Sequence, residues 1–147
     1  MNEYRFCDLE VGKEQEFRVK VTEEKMHHFL SMSGDNNPLH QQVDYAKRHG
    51  FKDRVVYGLL TSSFYSTLVG VYLPGKYALL QEVKKISFEK PVYIDDELTI
   101  HGIISFMNEA YKVIEIKAMI KNQNSEIISR AKINVGLLDE VQNRDNS

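Results

Sequence analysis

The stretch GLLTSSFYSTLVGVY, residues 58–72, is the longest helical signal in the chain and decides the fold. It contains no charged residue, and a helix without a charged face is typical of a buried position in a globular domain. The sequence Leu73-Pro74-Gly75 follows, and it ends the helical pattern. The apolar residues that lie along this helix are Leu59, Leu60, Phe64, Leu68 and Val71.

Beyond Tyr77 the hydrophobic period changes to two. Alternating apolar and polar residues predict half-buried antiparallel strands, with turns at residues 109–110 and 122–125. The segment 79–91 predicts one more strand. The apolar residues of the three alternating segments are Leu98, Ile100, Ile104 and Phe106, then Ile114, Ile116, Ala118 and Ile120, then Ile127, Ala131, Ile133, Val135 and Leu137.

Two shorter helices are expected before the long one. Thr22 is a plausible N-cap for a helix that ends at Gly34, and a short helix around residues 44–49 is closed by Gly50. Helices followed by a run of strands are the pattern of an α+β domain. The apolar helix 58–72 is therefore expected to lie against the concave face of an antiparallel sheet.

The composition fits one domain, which we place at residues 1–140, followed by a polar tail at 141–147 that is expected to be disordered. The net charge of −2 argues against nucleic acid or an anionic membrane as a partner.

Cys7 is the single cysteine, so an internal disulfide framework is excluded. The N-terminus shows no apolar signal segment, and residues 55–74 are too polar to span a membrane. A cytoplasmic protein is expected.

The segment Ser33-Gly34-Asp35-Asn36-Asn37-Pro38-Leu39-His40 carries the first candidate site. Asp35 and His40 lie five residues apart across a turn, where loop geometry is expected to set their separation. A carboxylate and an imidazole that converge can hold a water molecule and exchange protons with it, which contributes about 10²–10⁴-fold to a rate. The alternative is structural: Asp35 would form an Asx turn, and His40 would be a polar residue at a helix start.

Gly58 is the second candidate, because it begins the long helix after Val55-Val56-Tyr57. The first N–H groups of a helix lack internal partners and carry the positive end of its dipole. Directed at a thioester carbonyl, they would stabilise the enolate oxygen that forms during proton transfer at the α-carbon. The alternative is that Gly58 serves only close helix–sheet packing.

Four segments in residues 29–91 resemble the MaoC-like family of (R)-specific enoyl-CoA hydratases, which have a hot-dog fold, in which a sheet wraps around a central helix. The resemblance implies that Asp35 and His40 activate the water added at the β-carbon and that Asn37 orders their loop. It also implies that the Gly58 amide is the oxyanion donor and that Ser66 supports the site. The matching segments are Ser33-Gly34-Asp35-x-Asn37-Pro38-Leu39-His40, Val56-Tyr57-Gly58-Leu59-Leu60, Leu73-Pro74-Gly75 and Phe88-x-x-Pro91-Val92.

The same resemblance implies a homodimer that binds thioesters of coenzyme A or of carrier-protein phosphopantetheine in an interfacial tunnel, without a metal or redox cofactor. The chain departs from the family pattern at three positions: Tyr57 stands where histidine is usual, Gln42 where aspartate is usual and Val43 where proline is usual. Tyr57 is expected to reshape the tunnel mouth or to add a hydroxyl donor. The presence of Tyr57 in place of histidine bears most on which acyl group the protein accepts.

Two other functions are compatible with these residues. A hot-dog thioesterase would share the carbonyl-polarising helix but would hydrolyse the thioester. A non-catalytic subunit would bind acyl thioesters without turnover. The presence of Asp35 together with His40 favours a hydratase, which is a hydro-lyase, over the thioesterase and over the non-catalytic subunit.

Overall fold

The computed structural model describes residues 1–138, so the tail predicted at 141–147 lies outside the described residues. After a single 3₁₀ turn, Phe6–Asp8, the described chain forms one strand, then four α-helices and then four strands. The helices are α1 (Glu23–Ser33), α2 (Pro38–Gln41), α3 (Val43–Arg48) and α4 (Gly58–Thr67), the last continuing as a π turn, Leu68–Tyr72. The strands are β1 (Glu14–Lys20), β2 (Ala78–Phe88), β3 (Glu97–Asn108), β4 (Val113–Lys121) and β5 (Ile127–Leu137).

The five strands form one antiparallel sheet in the order β1-β3-β4-β5-β2. Helix α4 and its π turn pack on the inner face, where Leu68 is fully buried. Gly102 of β3 makes this approach possible, since a Cβ there would lie 2.7 Å from Leu68 Cδ2. The predicted α+β fold is confirmed. The inner-face residues with at most 1% exposure include Leu98, Ile100, Ile104, Ile114, Ile116, Ile120, Ile133 and Val135.

Two elements differ from the sequence-based expectation. Strand β1 precedes the helices, and its only apolar residues, Phe17 and Val19, are too few to reveal a strand pattern. Helix α2 replaces the predicted loop around His40, because Pro38 occupies its first turn, where a missing N–H costs nothing. Loop geometry therefore does not hold His40, which lies on a short helix.

The two edges of the sheet differ in chemistry. Strand β1 exposes charged residues at alternate positions, a common way of blocking edge-to-edge pairing. Strand β2 instead leaves large apolar side chains in solvent. On α4, Leu59 is 64% exposed, so a single chain covers only one side of this uncharged helix. The exposed apolar residues of β2 are Leu79, Leu80, Ile86 and Phe88.

Within residues 1–138, no helix combines the length and the apolar character needed to cross a membrane.

Candidate active site

The loop between α1 and α2 is held by a series of side chain-to-backbone hydrogen bonds. The Ser33 hydroxyl accepts from the Asp35 amide at 3.1 Å, and Asp35 Oδ1 accepts from the Asn37 amide at 3.1 Å. Asn37 Oδ1 then accepts from the Leu39 amide at 2.9 Å and caps α2. The Asx turn at Asp35 is therefore present, and it engages one carboxylate oxygen. The side chain is exposed, and Oδ2 accepts no hydrogen bond from residues 1–138.

His40 is half-buried on α2 and is anchored through one ring nitrogen. Its Nδ1 lies 2.6 Å from the Val55 carbonyl oxygen. A carbonyl oxygen can only accept, so Nδ1 carries the hydrogen and donates it. Nε2 forms no hydrogen bond with the described residues. This is the nitrogen that can take a proton from water, or return one once it is protonated.

His40 and Gly58 line the same cavity, of about 360 Å³. Gly58 is the first residue of α4, and its amide donates no hydrogen bond within the described part of the chain. An amide N–H at the start of a helix that has no hydrogen-bond partner stabilises a negative charge that develops beside it. The packing explanation for Gly58 also has support, because a Cβ at this position would lie 3.0 Å from Phe88 Cε1.

Tyr57 connects Asp35 to His40 from inside the protein. Its hydroxyl donates to the Asp35 carbonyl oxygen at 2.8 Å and accepts from Gln41 Nε2 at 2.7 Å. Its ring lies 4.1 Å from the His40 ring and 4.6 Å from that of Phe29, between centroids. Tyr57 is 1% exposed, and burial raises its pKa, so the hydroxyl stays neutral and keeps its proton. It does not line the cavity: its hydroxyl faces the backbone of the Asp35 loop.

Tyr57→Phe is expected to lower the free energy of unfolding by about 1–3 kcal/mol, because it removes two partly buried hydrogen bonds, to the Asp35 carbonyl and from the Gln41 amide. Urea unfolding followed by circular dichroism measures this loss. The matched control is Tyr111→Phe, at a tyrosine that is 80% exposed, where the change should stay within about 0.5 kcal/mol. Equal unfolding midpoints for the two variants would contradict this assignment of the Tyr57 hydroxyl.

The other predicted site residues occupy different surroundings. Ser66 lies on the exposed side of α4 and does not line this cavity, and neither does Asp35. The Tyr57 hydroxyl contacts the backbone carbonyl of Asp35, and the exposed Asp35 carboxylate stays outside this cavity. Thr61, which the sequence reasoning missed, lines the cavity and donates to the Gly58 carbonyl oxygen at 2.6 Å. Thr61 could have been found from the sequence, because it follows Gly58 by three residues and therefore lies on the same face of the helix.

Comparison with known proteins matches residues 8–125 to the MaoC like domain. An (R)-specific enoyl-CoA hydratase of Rhodospirillum rubrum is 33% identical over 94 residues, which cover 64% of this chain and 65% of that protein. An (R)-specific enoyl-CoA hydratase of Aeromonas caviae is 29% identical over 119 residues, 81% of this chain and 88% of that protein.

Among solved structures, an (R)-hydratase from A. caviae involved in PHA biosynthesis aligns with a TM-score of 0.83 and 28% identity. The alignment covers 88% of this chain and 97% of that one. The family match extends over most of the chain and includes every residue that lines the His40 cavity except Ile128 on β5. The chain belongs to the family of proteins with a MaoC-like domain.

Proposed function

We propose that this protein adds water to a 2-enoyl thioester, or removes it from the corresponding (R)-3-hydroxyacyl thioester, as a hydro-lyase. One observation carries the proposal: His40, with an uncommitted Nε2, lines the same cavity as the unpaired Gly58 amide. The names of the relatives from R. rubrum and A. caviae, both (R)-specific enoyl-CoA hydratases, support this chemistry and its stereochemical course.

In the hydration direction, the acid–base pair of Asp35 and His40 removes a proton from water as its oxygen bonds to the β-carbon. The electron pair of the double bond moves toward the thioester carbonyl, where the Gly58 amide donates a hydrogen bond to the developing oxyanion. The acid–base pair then delivers a proton to the α-carbon, which completes the addition and restores the pair to its starting state. The reaction has no net oxidation or reduction, so the proposal includes no redox cofactor. The acid–base pair and the amide supply the catalysis, so it includes no metal.

The direct test is purified protein mixed with crotonyl-CoA and longer enoyl-CoAs. The enoyl absorbance should fall, and chiral analysis should identify the (R)-3-hydroxyacyl product. Release of free thiol from saturated acyl-CoA would instead support the thioesterase. Binding of acyl-CoA without turnover at any chain length would support the non-catalytic subunit and contradict the proposal.

The proposal also includes a homodimer. Strand β2 is the edge strand that exposes large apolar side chains at both its ends, with charged residues between them, and an uncovered edge strand is a template for pairing with another chain. Phe88 at its end is 53% exposed and also lines the His40 cavity. A second copy seated on β2 would therefore border the candidate site, as a tunnel at the dimer interface requires.

Light scattering during size-exclusion chromatography should give twice the 17.1 kDa chain mass. Leu80→Lys should raise the dimer dissociation constant at least about 10²-fold, because it buries an unpaired ammonium at the interface. Glu16→Lys, an exposed change on the opposite edge strand, is the control and should leave the mass unchanged. A wild-type protein that stays monomeric at high concentration would refute the dimer.

A further inference from the structure

The backbone of Val55 holds two consecutive residues of α2. Its carbonyl oxygen accepts from His40 Nδ1 at 2.6 Å, and its amide donates to the Leu39 carbonyl oxygen at 3.2 Å. The hydrogen-bond partner of one imidazole nitrogen decides which nitrogen carries the hydrogen. The position of the Val55 carbonyl therefore determines whether Nε2 of His40 stays free for proton transfer.

Arg54, the residue before Val55, forms a bidentate ion pair with Glu23 at the start of α1. Its Nη1 donates to Glu23 Oε1 at 3.1 Å, and its Nη2 donates to Glu23 Oε2 at 2.7 Å. Two parallel contacts of this kind fix the orientation of both groups as well as their distance. The hydrogen bond from Arg54 lowers the pKa of the Glu23 carboxyl, which keeps that partner ionised at neutral pH.

The ion pair is more enclosed on the arginine side than on the glutamate side. The Arg54 side chain is 21% exposed, and the Glu23 side chain is 48% exposed. Ion pairs in contact with solvent contribute little to stability on average, and bidentate geometry is the main exception. The pair is therefore better suited to fixing the chain at Arg54 than to stabilising the whole fold.

The segment after Arg54 is held from two sides. On one side, Val55 forms a bridge with Tyr93, and the Val56 amide donates to the Val92 carbonyl oxygen at 2.8 Å. On the other side, the Arg54 guanidinium reaches α1. The backbone pairing sets the direction of the segment, and the ion pair sets its distance from α1.

Helix α1 connects this contact to the second half of the candidate site. Glu23 is its first residue, and the Asp35 loop follows its last turn. Because a helix is a rigid element, fixing its first turn against Arg54 also constrains the loop at its far end. The same ion pair thus joins the helix that precedes Asp35 to the segment that holds His40.

We propose that Arg54 and Glu23 are positioning residues for the hydration, and that their ion pair holds the Val55 carbonyl in place to accept from His40 Nδ1. Neither residue is among the described residues that line the His40 cavity, so neither contacts the substrate in this proposal. The inference rests on the proposed function and deepens it, because it names the contact that keeps His40 Nε2 available for water.

Arg54→Gln, Glu23→Gln and the double variant test the inference on crotonyl-CoA. Each single variant should lower kcat about tenfold while KM stays within about twofold, because a displaced catalytic group slows the chemical step. The double variant should be no slower than the single variants, since the second change removes a partner that is already lost. Arg54→Lys, which keeps the charge but not the two parallel contacts, should retain an intermediate kcat.

The matched control is Lys84→Gln, which removes the ion pair with Glu115 on the sheet and should leave kcat unchanged. The side chains of that pair are 41% and 20% exposed, close to the values for Arg54 and Glu23. Circular dichroism establishes that all variants are folded. Should Arg54→Gln fail to fold, Glu23→Gln and Arg54→Lys carry the same comparison.

Side-chain ¹⁵N NMR reports on His40 without turnover, and the spectrum of His40→Ala assigns its signal. At alkaline pH the wild type should carry the hydrogen of His40 on Nδ1. Arg54→Gln should shift the population toward the form with the hydrogen on Nε2, whereas Lys84→Gln should not.

An unchanged His40 signal in Arg54→Gln would overturn the inference, as would a wild-type kcat or a loss confined to KM. Full additivity of the Arg54→Gln and Glu23→Gln losses, or an equal fall of kcat in Lys84→Gln, would overturn it while leaving the hydratase intact. If the wild type turns over no thioester, the proposed function fails, and the NMR comparison alone decides whether the ion pair positions His40.

Discussion

Asp35→Asn and His40→Ala are each expected to lower kcat for the hydration of crotonyl-CoA by at least about 10²-fold. His40 has one nitrogen committed to the Val55 carbonyl, so its entire proton-transfer capacity resides in Nε2. Asp35 has one carboxylate oxygen committed to the Asn37 amide, and Oδ2 remains for water. Removing either group leaves the water without one of its two proton-exchange partners. KM should change much less than kcat, because the acyl thioester contacts other residues.

The double variant should be little slower than the slower single variant, since residues that act on one proton transfer are strongly non-additive. His28→Ala and Asp44→Asn are matched controls at the surface of α1 and α3, and both should retain wild-type kcat. Circular dichroism establishes that all variants are folded. Full additivity of the two losses would contradict a shared water molecule, and wild-type kcat in either single variant would remove that residue from the chemistry.

Leu68→Ala is expected to lower the free energy of unfolding by about 2–5 kcal/mol, the largest stability effect that we predict. Leu68 is fully buried where α4 passes into its π turn, and its δ-carbons fill the space left by Gly102 on β3. Deleting them opens a cavity between the central helix and the sheet. Met32→Ala, at a side chain that is 76% exposed, is the control and should cost less than about 0.5 kcal/mol.

The same contact predicts a specific coupling. Gly102→Ala alone should cost about 1–3 kcal/mol, since its new Cβ would approach Leu68 Cδ2 to 2.7 Å. In the Leu68→Ala background the added methyl enters vacated space, although Ile116 Cγ2 at 3.0 Å limits the relief. The double variant should therefore be more stable than the sum of the single losses by at least about 0.5 kcal/mol. Strict additivity in urea unfolding would show that the two residues do not pack as described.

Long periodic segments made most of the fold predictable. The uncharged run at residues 58–72 and the alternating segments after Tyr77 carry their hydrophobic patterns over ten or so residues, and all became the expected elements. Strand β1 has only two apolar residues, so the pairing with β3 that defines it is not visible locally. Helix α2 is not evident from the sequence, because proline is also common in turns; in the structure Pro38 is the first residue of a helix.

The candidate site was predictable only in its local parts. Gly58 begins the helix that the uncharged run predicts, and Asn37 orders its loop as expected, although it does so by capping α2. The Tyr57 hydroxyl meets the Asp35 backbone 22 residues away, a contact that depends on how α4 packs against the loop. The pairing of β2 with β5 includes two register shifts, which decide which residue of β2 faces Lys132. Neither the long-range contact nor the register has a signature in the local sequence.

The proposed reaction requires Asp35, His40 and the Gly58 amide to converge around one thioester. A crystal structure of the Asp35→Asn variant with crotonyl-CoA measures this directly. We expect the thioester oxygen at about 2.7–3.1 Å from the Gly58 nitrogen, with the β-carbon beside a water held by His40 Nε2 and the side chain at position 35. A thioester bound with its β-carbon away from His40, or with apolar atoms filling the space between positions 35 and 40, would contradict the proposed reaction.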